Sequence, residues 1–190
     1  MSDLNRRWTQ RDIVTVCALG LAFGVFYLGW VQVWLVAQAA VGPLAMDALM
    51  GFWMVGGIVA AYIIRKPFAA FAGETLAAVA EVLTGNPGGL ILIMTGVIQG
   101  AGLELPFLAT RWKRYDLVIL ILSGIAAAVF SFVYTWVRFD YGKIDTGLLI
   151  AMFAIRVTSC VVLGSFLGHW IGNKLNRTGV LDGLAIAHRA

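Results

Sequence analysis

Five side chains in this sequence carry chemistry that an apolar segment does not ordinarily keep. Glu74, Glu81, Gln99, Glu104 and Arg156 each lie inside a long hydrophobic run. Ionisable groups inside such runs face a bundle interior or a wet cavity, and they mark ligand, ion or proton sites by default. Glu74 and Glu81 are seven residues apart, so they project from nearly the same face of a helix. Carboxylates placed this way can balance a bound cation or relay protons, and an amide such as Gln99 can satisfy both a donor and an acceptor on a ring edge. Plainer roles compete. Glu81 sits near a helix end, where a side chain can snorkel outward. Gln99 can hydrogen-bond across helices. Arg156 can neutralise Glu81 as a structural ion pair or contact a ligand itself. Glu104, ahead of Pro106 and close to the basic run RWKR, can form an inward salt bridge.

These groups need elements to hold them, and composition says which. Of 190 residues, 61% are hydrophobic and 13% are charged, and the mean hydropathy is +0.87. A water-soluble domain of this size carries far more charge, so the apolar surface must meet lipid. Runs of about 20 apolar residues, enough to cross about 30 Å of hydrocarbon, occur at 13–39, 43–64, 67–83, 90–110, 117–137 and 146–171. The expectation is an all-α integral membrane protein of six transmembrane helices, with residues 1–190 forming one domain. The polar start MSDLNRRWTQRD shows no cleavable leader.

Charge orients the bundle. Arg6, Arg7, Arg11, Arg65, Lys66, Arg111, Lys113, Arg114, Lys174, Arg177 and Arg189 fall on one side of such a bundle, against Arg138 and Lys143 beside Asp140 and Asp145 on the other. Cytoplasmic loops collect Lys and Arg, which puts both termini in the cytoplasm of a cell-membrane protein. The net charge of +4 is therefore topological and indicates no nucleic-acid partner. At about 1.5 Å per residue, Glu81 and Arg156 sit about 20 Å from the cytoplasmic edge, with Glu74 and Glu104 in a second layer about 10 Å from it.

Two further patterns matter. Tyr27, Trp30 and Trp34 gather at the outer end of the first helix, Trp53 in the outer half of the second, and Tyr134 and Trp136 at the outer end of the fifth. Many such rings form interfacial belts, but rings beside carboxylates also suit a flat cationic heteroaromatic ligand. In CALGLAFG, Ala18 and Ala22 form one small-xxx-small pair and Gly20 and Gly24 another, spacing that admits a close helix from this bundle or from a partner. Cys17 and Cys160 lie in apolar runs and read as buried thiols. No P-loop is present, and His169 and His188 have no metal-ligand spacing. Ser123 and His169 lack the surroundings of a protease dyad. Neither an enzyme, a metal site nor a cofactor is expected.

The stretches AAYIIRKPFAAFAGETLAAVAEVLTGNPGG, GVIQGAGLELPFLATRWKRY, IRVTSCVVLG and TGVLDGLA resemble the YkoE-type S components of energy-coupling factor (ECF) transporters, most densely over 62–115. The resemblance implies an S-component bundle that captures thiamine or its hydroxymethylpyrimidine precursor from outside. A transmembrane T component and ATPase subunits would drive uptake. It places Glu81, Asn86 and Gln99 around the ligand, with Trp53, Tyr134 and Trp136 as stacking walls and Arg156 beside Glu81. It assigns Ala18, Gly20, Ala22 and Gly24 to contact with the T component. The residues alone leave another reading open: a stand-alone proton-coupled carrier or channel using Glu74 and Glu104, or a scaffold with no small ligand.

Overall fold

Thr9 starts the first helix. Its hydroxyl accepts from the Asp12 N–H at 3.2 Å while the Asp12 carboxylate accepts from the Thr9 N–H at 2.8 Å, a reciprocal cap that satisfies two otherwise orphaned donors. In the computed structural model, which describes residues 7–187, six helical segments follow. They are α1 (Gln10–Val41), α2 (Leu44–Ile64), α3 (Ala69–Leu83), α4 (Ile91–Ala109), α5 (Leu117–Arg138) and α6 (Thr146–Arg177). Arg6, His188 and Arg189, named above, lie outside the described residues. Each expected apolar run coincides with one helix. The last extends past residue 171 because its amphipathic end, LGHWIGNKLNR, stays helical. Asp116 caps α5 by accepting from Val118 N–H, and the Arg114 guanidinium bonded to it holds the Asp116 carboxyl below its ordinary value.

Five of the six are long and apolar enough to cross a membrane. The exception, α3, has 15 residues and reaches only about 22 Å, short of the hydrocarbon thickness. The second half of α3, from Glu74 to Glu81, and the turn after it line a cavity.

Two helices depart from regularity at one level. In α2, Met50–Met54 tighten into a 3-10 turn; in α6, Cys160–Phe166 widen into a π turn. The two irregular segments pack on each other, with Gly51 against the backbone of Ser159 and Cys160 and Gly164 against the Gly51 carbonyl. The Ser159 hydroxyl accepts from the Gly51 N–H at 2.9 Å and donates to the Ala48 carbonyl at 2.7 Å. A broken helix at membrane depth needs such substitutes for its lost backbone bonds.

α1 packs on α3 through Gly20 and Gly24, both buried. A Cβ on Gly20 would stand 2.6 Å from the Leu76 Cβ, and one on Gly24 would stand 2.8 Å from the Ala77 carbonyl and the Glu81 N. These two glycines thus serve packing inside the chain, not a surface for a partner. Ala18 and Ala22 lie on the other side of α1 and are exposed, as is Cys17, which was expected to be buried. Gly24→Val should cost about 1–3 kcal/mol by overpacking, whereas Ala22→Val should stay within about 0.5 kcal/mol. Thermal unfolding in detergent checks this, and equal midpoints would overturn the assignment.

At the end of the bundle where α1 begins and α6 ends, a strap after α6 folds back under it. Leu181, Leu184 and Ile186 are buried in the main core, the Ile186 N–H donates to the Ile63 carbonyl at 3.3 Å, and Arg11 Nη1 donates to the Asp182 carbonyl at 3.0 Å.

Candidate functional site

Toward the opposite end, α1 to α5 and the α3–α4 turn line a cavity of about 170 Å³. Its floor is made by the break in α2. The first N–H groups of a helix have no partner within it, so the segment restarting at Val55 presents free donors. Gly57 N–H donates to Glu74 Oε2 at 3.2 Å, and Gly56 N–H donates to Tyr27 Oη at 2.8 Å, which in turn donates to Glu74 Oε2 at 3.4 Å. Glu74 therefore combines a cavity position with a structural duty.

Glu81 lies one turn from the end of α3. Asn86 Nδ2 donates to Glu81 Oε1 at 2.6 Å and Trp53 Nε1 donates to the same oxygen at 3.3 Å. Asn86 is itself fixed, because its Oδ1 accepts from the Gly88 N–H at 2.7 Å and so pins the turn. Both side-chain bonds fall on Oε1, leaving Oε2 with lone pairs to offer. Gln99, on α4, makes one weak bond, from Nε2 to the Met50 thioether sulfur at 3.4 Å, so most of its amide capacity is unspent. Two more polar atoms of lining residues are buried with no partner: Trp34 Nε1 and Tyr134 Oη.

Of the residues expected at the site, Glu81, Asn86, Gln99, Trp53 and Tyr134 converge on this one cavity. Trp136 does not line it. Two residues beyond Tyr134 it points about 200° further round α5, where it is 41% exposed and edge-on to Phe132. Arg156 does not line it either, and of the two readings left open for it the Arg156–Glu81 pair is absent among the described residues. Arg156 is fully buried behind the α5 wall, where Nε donates to Asp47 Oδ1 at 2.6 Å and Nη2 lies 2.6 Å from the same oxygen. Its Nη1 donates to Thr135 Oγ1 at 2.8 Å and Ser131 Oγ at 3.4 Å, and both hydroxyl residues line the cavity. The guanidinium thus reaches the site through two side chains.

Glu74 and Glu104 do not form one layer. Glu104 lies at the terminal end, away from the cavity, where it accepts from the N–H groups of Phe68 and Phe71 at 2.8 and 3.1 Å and from Trp112 Nε1 at 2.6 Å. It caps α3 from a neighbouring helix and ties two turns together, and in place of an inward salt bridge it makes backbone bonds and one to the Trp112 indole. Ser123 donates to the Leu103 carbonyl at 2.6 Å, a packing role. Sequence reasoning missed Asp47, although it is the one acid in the second apolar run. It also left out Ser131 and Thr135, whose polarity is unremarkable in a membrane helix until Arg156 is seen behind them.

The family described as "ABC-type cobalt transport system, permease component" matches residues 11–130. Among the described residues, no three or more His, Cys, Asp or Glu side chains gather as metal ligands do. The chain is 39% identical over 181 residues to the putative HMP/thiamine permease protein YkoE of Bacillus subtilis (strain 168), covering 95% of this chain and 91% of that protein. It also superposes on the crystal structure of an S component of an ECF transporter with a TM-score of 0.93 at 39% identity, covering 95% of this chain and 92% of the other. An all-helical bundle with five to six membrane-spanning helices, a cavity that holds Glu81, Asn86 and Gln99, and this likeness lead to one assignment: the chain belongs to the YkoE-type family of ECF S components, the multi-pass substrate-binding subunits of those transporters in the cell membrane.

Proposed function

We propose that this S component captures thiamine or its hydroxymethylpyrimidine precursor from outside the cell. It then hands the ligand to a T component and ATPase subunits that drive uptake. The observation that carries the reading is the convergence of Glu81, Asn86, Gln99, Trp53 and Tyr134 on one cavity. Both ligands share an aminopyrimidine ring, and a cavity of about 170 Å³ compares with the roughly 150 Å³ that accommodates a single six-membered ring. The pyrimidine enters this space, and the thiazolium of thiamine extends toward the mouth. Gln99 offers a paired donor and acceptor to the ring edge. Glu81, positioned by Asn86, accepts from the exocyclic amino group and balances the thiazolium charge. Trp53 and Tyr134 supply ring faces. Arg156 acts from behind, setting the hydroxyls of Ser131 and Thr135.

The remaining parts follow from the same reading. Lys and Arg asymmetry puts both termini in the cytoplasm and the cavity mouth outside. The 190 residues act as one domain that binds and does not turn over its ligand. The exposed small residues Ala18 and Ala22 form the face on which the T component docks. A proton relay through Glu74 and Glu104 loses its footing, because Glu104 is spent on capping α3.

Titration of the purified chain in detergent, followed by tryptophan fluorescence, tests the reading. Thiamine or hydroxymethylpyrimidine should quench saturably at nanomolar to low micromolar levels, and riboflavin should not. Absence of any response, with no ligand co-purifying by native mass spectrometry, would sink it.

A further inference from the structure

The two irregular segments leave a mark on the outside of the bundle. Where they pack, an open groove forms that shares no residue with the polar cavity; Ala48 of α2 and Ala154, Thr158, Ser159 and Val162 of α6 are among its walls. Its polar side chains are already spent. Thr158 Oγ1 donates to the Ala154 carbonyl at 2.9 Å, and Ser159 Oγ donates to the Ala48 carbonyl at 2.7 Å while accepting from the Gly51 N–H. Such a recess offers an occupant van der Waals contact and little else, so it suits hydrocarbon and not a vitamin ring. From the groove a row of exposed side chains runs along α6 to its charged end. Val162, Phe166 and Trp170 are 51%, 46% and 57% exposed, and Lys174 and Arg177 beyond them are exposed as well. In a regular helix, residues four apart drift about 40° per step, which carries such a row round to another face. The π turn over Cys160–Phe166 holds more residues per turn, so it offsets part of that drift and keeps the row on one side.

At the end of the row, Lys174 Nζ stands 5.7 Å from the centroid of the Trp170 ring. Among the described residues no carboxylate lies within ion-pair distance of Lys174 or Arg177. An interfacial Trp beside cations without a paired acid is a setting that attracts anionic headgroups. We propose that this face of α6 binds one anionic glycerophospholipid. Its phosphate meets Lys174 and Arg177, its glycerol region rests on Trp170, and one acyl chain lies over Phe166 and Val162 with its end in the groove. The dimensions agree. Lys174 and Val162 are twelve residues apart, about 18 Å along a helix, and one leaflet contributes about 15 Å of hydrocarbon. The chain end then covers the Ser159–Ala48 hydrogen bond and holds the two irregular segments together from outside. Bulk lipid on a smooth helix has neither a recess to enter nor a fixed cation to meet.

Native mass spectrometry tests the site on the full chain, stripped of lipid in detergent and titrated with phosphatidylglycerol and phosphatidylcholine of matched chains. Wild type should hold one phosphatidylglycerol about tenfold or more tightly than phosphatidylcholine, the preference expected of two basic residues beside the headgroup. Lys174→Gln/Arg177→Gln should bring the two lipids within about threefold of each other. Thr158→Phe, which fills the groove, should weaken both lipids by about threefold or more and keep the preference. All three substituted side chains are exposed, so lipid-free unfolding midpoints should match wild type. Added phosphatidylglycerol should raise the midpoint of wild type and not that of Lys174→Gln/Arg177→Gln. Equal affinity of wild type for the two lipids overturns the proposal, as does a preference that survives the double substitution or a groove-filled variant that binds like wild type. No readout involves the vitamin, so failure here leaves the binding reading untouched.

Discussion

Arg156→Met should unfold at temperatures where the double variant Asp47→Leu/Arg156→Met still holds. Both side chains of this ion pair are completely inaccessible. Removing the guanidinium alone leaves the Asp47 carboxylate buried without a counter-charge, which costs about 3–5 kcal/mol, a large part of a total stability on the order of 5–15 kcal/mol. Replacing both partners with apolar groups of similar volume removes the charge and its need together, and such exchanges are often neutral or stabilising by about 1–4 kcal/mol. The two variants differ in one residue, so thermal unfolding in detergent reads the orphaned charge directly. A single variant as stable as the double would show that Asp47 finds another partner or takes up a proton at little cost. The double variant has its own consequence. Thr135 and Ser131 lose the donor that Nη1 supplies, so this wall of the cavity should lose its fixed hydroxyl orientation even though the bundle stands.

Glu81→Gln should weaken thiamine binding by about 10- to 100-fold, since a hydrogen bond to a charged group contributes about 1.5–3 kcal/mol and each 1.4 kcal/mol is tenfold. The replacement keeps an oxygen in place for Asn86 Nδ2 and Trp53 Nε1, so the turn that closes the cavity is preserved and the fold is not in question. Comparing ligands separates two roles. If Glu81 balances charge, the loss is greater for cationic thiamine than for neutral hydroxymethylpyrimidine; if it only accepts from the amino group, the losses match. Fluorescence titration of both ligands against wild type and variant decides between them. Unchanged affinity for both would remove Glu81 from the site.

The helices were legible because apolar runs of membrane length have few other solutions, and every expected run is a helix. The 3-10 break in α2 was not legible, because nothing in MGFWM forbids an α-helix. The break exists where Ser159, more than a hundred residues later, takes over a backbone bond. The pairing of Glu81 with Arg156, one of the two readings the sequence left open, came from counting residues up straight helices. The actual partner of Arg156 is Asp47, on a helix segment displaced by that same break. Glu81, Gln99 and Asn86 were legible because polar groups at membrane depth stand out against their surroundings. Trp136 went wrong for want of an angle, since Tyr134 and Trp136 cannot both face one cavity from one helix. Gly20 and Gly24 were recognised as a close-packing stripe, but spacing gives no direction, and only the Leu76 and Ala80 side chains across from them show which neighbour they meet.

The break in α2 also divides the cavity wall by what evolution is free to alter. Tyr27 and Glu74 hold the loose backbone donors of Gly56 and Gly57, and Ser159 just outside does the same for Gly51, so mutations at these positions unfasten a helix before they change a ligand. Gln99, Trp34 and Tyr134 line the same space with no backbone obligation. Drift toward a new vitamin is open along that second set and blocked along the first. A library aimed at retuning this receptor should begin with those three positions.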